Sequence, residues 1–446
     1  MKKSFFILSF LFVSYTGFCQ TTNLKPDSSL KSVSINSTNT DLGIKSTAII
    51  ACKLKGTLTD GTSTYLMLVT EKDDPFKSGV KIPIVDGYFE YDLKTNVAEK
   101  YTLILGEELE NGAFRSISFF AENGAVNFNL YAGKDFNNNT ISGEKLTKKM
   151  IAYKIEQEKI FDPIEKPFSH EIDSLWGSNK YFSAAVNVIM DKIRGHEKDE
   201  ELNELFKSRD ELLETEKGFT PRVWFLNNKM DSIRKLKFDW ETKYIKTNQD
   251  IFSYSLLLYN VRWYKQNQKT TDLNVLSNLA ALYSKKFPLH PYTKQMNTIL
   301  EGIKTATVGG MYIDFYAPTI DGEIIRASDI VAGKVALLDM WASWCGPCRV
   351  TSKSYIPIYE KYKEKGFVIL GVANEFKNTN AFKKAVEKDK YPWLNLIELE
   401  NTNRIWDKYN ISNSGGSTFL VDAKGVILAV NPDAAALDKI LEGLFH

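Results

Sequence analysis

Cysteine and histidine are scarce in this chain, with four of each in 446 residues. So few cysteines argue against a structural disulfide framework. The histidines stand at 170, 196, 290 and 446, none of them near the one closely spaced cysteine pair, Cys345 and Cys348. A zinc site at that pair would lack its other two ligands, and no metal is expected. Surplus charge of one sign is also missing. Lysine and arginine number 57 against 55 acidic residues, a formal net charge of +2 with no basic stripe, so nucleic acid is not an expected partner. No long apolar run follows the N-terminal one, which leaves no candidate membrane span once that segment is removed. No internal repeat is evident. The hydrophobic (43%) and charged (25%) fractions are those of a globular protein with sizeable cores, and the length suggests two to four domains.

The first residues, MKKSFFILSFLFVSYTGFCQ, combine two lysines, an apolar run from Phe5 to Val13 and small residues at Gly17 and Cys19. This is the layout of a secretory signal, too short to span a bilayer. Cleavage after Cys19 puts small side chains three and one positions before the cut, whereas lipid attachment at Cys19 would want a small residue in place of Phe18. Residues 1–19 are therefore read as a signal peptide. In a bacterium with two membranes the mature chain belongs in the periplasm or cell envelope, where disulfides persist.

Residues 20–47 are rich in Ser, Thr, Asn and Lys and read as a flexible linker. Residues 48–141 carry strand-like runs (Tyr65 to Thr70, Tyr101 to Leu105, Ser116 to Ala121, Val126 to Tyr131). Asp60-Gly61, Asp86-Gly87, Asn111-Gly112 and Asn123-Gly124 punctuate them. Such dipeptides accept positive φ, as tight hairpins require, so an antiparallel β-sandwich or barrel is expected. Residues 142–307 switch to three-and-four spacing, as in Leu273, Leu276, Leu279 and Leu282 or Met296, Ile299, Leu300 and Ile303. That periodicity predicts five to seven helices with breaks at Gly195, Gly218 and Pro288 to Pro291, and its Trp and Tyr residues read as packing aromatics. Residues 308–446 alternate strand and helix: Lys334 to Trp341, a helix over Gly346 to Lys365, Phe367 to Asn374, a helix over Thr379 to Asp389, then two strands and a last helix from Ala434. This predicts a small α/β domain with a mixed sheet.

The chemistry concentrates in Trp344-Cys345-Gly346-Pro347-Cys348. Two cysteines two residues apart at a strand-to-helix junction can cycle between dithiol and disulfide without refolding. Cys345, at the helix start, faces unpaired N–H groups and the positive end of the helix dipole, which favour its thiolate and make it the attacking thiol. Cys348, one turn inward, is expected to be the more buried and to resolve the mixed disulfide. Cys52, alone in a strand-like run, reads as a core thiol. Asp339 interrupts the apolar strand on the face of Leu337 and Trp341. Burial there should raise its pKa and suit it to accept the Cys348 proton. Position alone fits equally well an acid bonded to backbone at a strand end.

The run Leu338-Asp339-Met340-Trp341-Ala342-Ser343-Trp344-Cys345-Gly346-Pro347-Cys348-Arg349 resembles thioredoxins, most closely the TlpA-like and ResA-like periplasmic branch. Phe315-Tyr316-Ala317-Pro318, Asp321-Gly322, Lys365-Gly366-Phe367 and Thr418-Phe419-Leu420-Val421-Asp422 extend the likeness over the last third of the chain. It implies a C-terminal thioredoxin fold whose only redox group is the Cys345-Cys348 disulfide, and it implies that Asp339 is the buried acid beneath the second cysteine. Protein thiols and disulfides would be substrates, an envelope electron donor a partner, and Gly-Pro between the cysteines a mark of the reducing direction. Phe119 to Asn127 resembles the ending of the β-domain that precedes such thioredoxins. Two positions depart from the pattern: Thr351 stands where branches serving cytochrome c maturation often carry an acid, and Gly416 stands where the family has a cis-proline. Gly416 is expected to lie opposite Cys345 and, with Ser417, Thr418, Trp344, Gly346 and Pro347, to line the substrate groove, across a trans Gly415-Gly416 bond. The competing readings are a thiol peroxidase, whose relatives place Pro and Thr or Ser ahead of the cysteine where this chain has Ala342, and a partner-binding envelope protein with a secondary redox site.

Overall fold

The computed structural model describes residues 17, 18 and 49–445, apart from 72, 74, 76, 77, 196–198, 377 and 412–414. The expected signal peptide and linker thus lie almost wholly outside the described residues. The chain falls into two compact units, one running to Lys159 and including Asp250–Ser255, the other comprising Ile160–Gln249 and Leu256–His446.

The first unit is built on eight strands: β1 (Ile50–Thr59), β2 (Tyr65–Thr70), β3 (Val80–Pro83), β4 (Tyr88–Thr95), β5 (Lys100–Leu105), β6 (Ile117–Phe120), β7 (Gly124–Tyr131) and β8 (Thr140–Ser142). They form two four-stranded sheets, ordered β8-β7-β1-β4 and β3-β2-β5-β6. Alternation along β1 turns Cys52, Leu54 and Leu58 inward, where they meet Leu66, Leu103 and Phe119 of the other sheet in one core. Phe89, Phe119 and Phe128 are all buried in it, each contributing roughly 1.5–3 kcal/mol of transfer free energy. Asp86 and Gly87 both take positive φ and close a two-residue hairpin across the Val85–Tyr88 bridge, as their sequence expects. One pairing departs from the antiparallel expectation: β1 and β7 run parallel. Gly56 lets them approach, since a Cβ there would sit 2.2 Å from the Phe128 carbonyl oxygen.

The helical segment comprises α1 (Lys145–Gly177), α2 (Ala184–Gly195), α3 (Asp199–Leu213), α4 (Pro221–Asn248), α5 (Ile251–Arg262), α6 (Leu273–Lys286) and α7 (Pro291–Thr305). The boundary between the units falls inside α1. Met296, Ile299, Leu300 and Ile303 of α7 are all buried, as their spacing predicts, whereas on α6 Tyr283 turns inward and Leu282 outward. Among the described residues, no helix is long and apolar enough to cross a membrane.

The C-terminal part of the second unit is a five-stranded mixed sheet. A short hairpin, β9 (Tyr316–Pro318) and β10 (Ile324–Arg326), precedes β11 (Val335–Trp341), β12 (Phe367–Glu375), β13 (Leu394–Leu399), β14 (Ser417–Val421) and β15 (Ile427–Val430). Their order is β13-β12-β11-β14-β15, with the first three parallel and the last two antiparallel to their neighbours. The central strand β11 is buried on both faces: Leu338 and Met340 enter one core cluster, Leu337 and Trp341 the other. This explains its nearly unbroken apolar run. The helix expected over residues 346–365 breaks into α8 (Gly346–Ser354) and α9 (Ile356–Tyr362). Pro357 has no N–H to return to the preceding turn, so it starts a new helix instead of continuing the old one. Helices α10 (Asn380–Asp389) and α11 (Ala434–Leu444) complete the domain. Within this unit α3 rests against α8, and Lys207 pairs with Asp433 at 2.5 Å.

Candidate functional site

Strand β11 ends at Trp341, and three residues carry the chain to Cys345, the N-cap of α8. Cys345 has extended backbone angles (φ −88°, ψ 92°), and its Sγ accepts the Cys348 N–H at 3.3 Å. One orphan donor of the helix start is thus turned on the sulfur, the arrangement that stabilises a thiolate once the bond is reduced. Pro347 occupies the first turn, where a missing N–H costs little. Cys345 and Cys348 are joined in a disulfide with their Cα atoms 5.3 Å apart. Cys345 is only 7% exposed, packed with Ala342 and Trp406, while Cys348 is half-buried. The expected order of burial is reversed: Gly416, which meets the Cys348 sulfur, has no side chain with which to cover it.

The segment ahead of Cys345 is held from β12. Glu375, buried at the end of that strand, accepts the Ser343 N–H and hydroxyl, both at 2.7 Å. Burial pushes the Glu375 carboxyl up, and these two bonds oppose the shift. Trp344 donates its indole N–H to the Asn374 carbonyl at 3.0 Å and stacks on Phe376, leaving 40% of its surface exposed beside the disulfide. Gly346 and Pro347 are exposed next to it. Behind the pair, Arg349 forks onto Asp389 at 2.6 and 2.8 Å, and Tyr391 donates to the same carboxylate. The Arg349 guanidinium and the Tyr391 hydroxyl hold the Asp389 carboxyl below the usual range against the opposing effect of burial.

Asp339 is 2% exposed on the Leu337 and Trp341 face. Its strand neighbours are Gly371 and Thr418, neither of them a cation. Burial raises its pKa to about 7, opposed only by a hydrogen bond with the Ser352 side chain, and its Oδ2 has no partner. Ser352 in turn donates to the Cys348 carbonyl at 2.9 Å, so one hydroxyl links the acid to the second cysteine's turn. The reading of Asp339 as an acid bonded to backbone finds no such bond.

Gly416 meets the sulfur of Cys348: its N–H donates to Sγ at 3.1 Å. The peptide bonds are trans throughout the described residues. Ser417 is half-buried, but Thr418, expected in the groove, is 5% exposed with its hydroxyl 3.4 Å from the Tyr355 hydroxyl. Strand pairing turns Thr418 into the interior, so it is withdrawn from the substrate surface.

Sequence reasoning missed Glu375, Ser352 and the Arg349–Asp389 pair. Glu375 had a signal, an acid closing an apolar strand as Asp339 interrupts one. Ser352 and Asp389 had none, because their partners lie 13 and 40 residues away. Among the described residues no cluster could hold a metal ion.

Residues 308–430 match the AhpC/TSA family. The chain is 31% identical over 139 residues to the thiol-disulfide oxidoreductase ResA of Geobacillus kaustophilus, covering 30% of this chain and 75% of that protein. This chain belongs to the ResA-like thiol-disulfide oxidoreductases. It is also 32% identical over 121 residues to the thiol:disulfide interchange protein DsbE of Pseudomonas fluorescens, covering 27% of this chain and 64% of that protein, so it spans less than two thirds of that relative. Among solved structures, the thioredoxin domain of a thiol-disulfide oxidoreductase from Bacteroides vulgatus is 26% identical, with 31% of this chain and 99% of that one covered and a TM-score of 0.29.

Proposed function

We propose that the protein is an exported reductase of protein disulfides that uses the Cys345-Gly346-Pro347-Cys348 pair. The observation that carries this reading is the placement of Cys345 at a helix N-cap, where it accepts the Cys348 N–H, above a buried acid that titrates near neutrality. The Cys345 thiolate attacks a client disulfide and forms a mixed disulfide. Cys348 then yields its proton towards Asp339 and attacks the Cys345 sulfur, which releases the reduced client and restores the enzyme disulfide. A donor thiol of the cell envelope reduces that disulfide again. Trp344, Gly346 and Pro347 offer an exposed apolar and backbone surface for an extended client segment beside the sulfur. The lysines and apolar run at the N-terminus support export.

Insulin reduction measured beside peroxide consumption tests the reading. Turnover of insulin without peroxide consumption is expected, and the reverse result would make the protein a thiol peroxidase. Cys348→Ser should strand client proteins on Cys345 as mixed disulfides, and recovery of none would sink the reductase assignment.

A further inference from the structure

We propose that the main-chain N–H of Gly416 is a catalytic donor that stabilises the thiolate of Cys348, taking over a position where the resembling family has a ring with no N–H to give. The inference rests on the disulfide-exchange reading above. The amide nitrogen lies 3.1 Å from Cys348 Sγ with the hydrogen directed at it. A proline has no such hydrogen, so a chain with proline here cannot make this bond. With the backbone as it stands a Cβ on Gly416 would fall 2.0 Å from the Met340 carbonyl oxygen and 3.0 Å from the same sulfur, so any side chain here, a proline ring included, requires the backbone to shift.

A glycine loop aims a donor poorly unless something else fixes it. Asn431 does so here. Its Oδ1 accepts both the Ser417 hydroxyl and the Thr418 N–H at 2.8 Å, and its own N–H donates to the Thr418 carbonyl at 2.8 Å. Asn431 itself takes the left-handed conformation (φ 51°) that asparagine tolerates and that this three-way clasp requires. The residues directly after Gly416 are thereby pinned to the residue that follows β15, and the amide is presented to the sulfur without a proline ring.

In the mixed disulfide, the Cys348 S–H proton passes to the Asp339 carboxylate, and the Gly416 N–H holds the thiolate that results. That thiolate attacks Cys345 Sγ. The Cys345–Cys348 bond forms, the bond from Cys345 to the client breaks, and the client sulfur leaves with the electron pair and takes a proton from solvent. The client disulfide gains two electrons and the enzyme dithiol loses them. In the return half, a donor thiolate attacking Cys345 expels Cys348 as a thiolate onto the same N–H. One donor therefore serves Cys348 as nucleophile and as leaving group.

The titratable groups packed at this end of the sheet are Asp339 on β11, Glu375 on β12, Tyr355 after α8 with Asp433 near it, and Tyr391 with the Arg349–Asp389 pair. A test must separate the sulfur from these. In the full chain carrying Cys345→Ser, glycine labelled with ¹³C at the carbonyl and ¹⁵N at the amide marks only amides that follow another glycine, Gly310 and Gly416. The Gly416 amide proton should move with the ionisation of Cys348, keep doing so in an Asp339→Asn background, and stop when Cys348 is also replaced by Ser. Gly310, whose N–H is bonded to the Thr307 carbonyl, should stay flat. In Gly416→Pro on the same background, the Cys348 pKa read from alkylation rates should rise by about one pH unit, the scale of a lost hydrogen bond to a charged acceptor. A Gly416 amide that ignores the Cys348 titration, or an unchanged pKa in a folded Gly416→Pro protein, would overturn the proposal. If that variant fails to fold, the amide titration decides alone. Because neither readout needs a client, a protein inactive on insulin with an intact titration would indict the reductase reading and leave this donor standing.

Discussion

Replacing Asp339 by asparagine should make the oxidised protein more resistant to unfolding at alkaline pH, even as it slows catalysis. Burial raises the Asp339 pKa from 3.8 to about 7, with the Ser352 hydrogen bond opposing it. Between those two pH values the folded protein holds a proton that the unfolded chain has already released. Stability from this group is therefore fully present below about pH 4 and is lost as pH rises through about 7. At about 1.4 kcal/mol per pH unit over about three units, the loss is on the order of 4 kcal/mol. Asparagine has nearly the same shape and never ionises. Its stability relative to Asp339 should thus climb by roughly that amount between about pH 4.5 and about pH 8, on top of a pH-independent offset from repairing its amide's hydrogen bonds. Urea unfolding of the oxidised protein, where the disulfide cysteines do not titrate, gives the two curves. All eight tryptophans lie in the second unit, so their fluorescence follows the unit that contains Asp339. A gap that stays constant across that pH range would refute the argument, because it would mean Asp339 is ionised or neutral in both states alike. In single-turnover exchange, the same variant should slow release of the client from the mixed disulfide more than the first attack, having lost the acceptor for the Cys348 proton.

Cys345→Ser should abolish insulin reduction while Cys52→Ser leaves it intact, since Cys52 is 2% exposed in the first unit's core and burial raises its thiol pKa; equal loss in both variants would contradict the assignment. Glu375→Ala removes both anchors of Ser343 ahead of the attacking cysteine, and a loss of about tenfold in insulin reduction is expected, the equivalent of about 1.4 kcal/mol. An unchanged rate would show that the segment holds itself. Asp389→Asn leaves the Arg349 guanidinium without its fork, and a cost of about 3 kcal/mol in urea unfolding is expected near neutral pH. Because the Asp389 carboxyl is held below its ordinary value, its contribution is present above about pH 4 and lost as pH falls through the lower folded value. The deficit of the variant should accordingly shrink in acid, and one that does not would place the cost elsewhere than in the ion pair.

The sequence by itself determined the position of the redox pair and the order of elements around it. An apolar run ending in Trp341, followed by a Cys-Gly-Pro-Cys start to a helical pattern, admits little but a buried strand feeding a helix N-terminus. That junction carries most of the attacking thiol's chemistry, because helix-start N–H groups are a local property of the chain. Asp339 was legible for the same reason, as one charge in a strand whose two faces are both apolar. The limits of local pattern show in β13, where Asn395 and Glu398 interrupt the run and hid a strand until their partners, the Trp341 indole and the Asn403 amide, were in place. Tertiary structure alone decided which groups meet. Alternation puts Asp339 on a face but cannot say that Ser352 will be its partner, nor that Glu375 will grip Ser343 from the next strand. It also decided the meaning of Gly416. In one dimension glycine there reads as a missing proline and a loose loop. In three, an amide whose following residues are held by Asn431 points at Cys348, because a hydrogen bond depends on where two distant segments place their atoms and not on what either segment prefers alone.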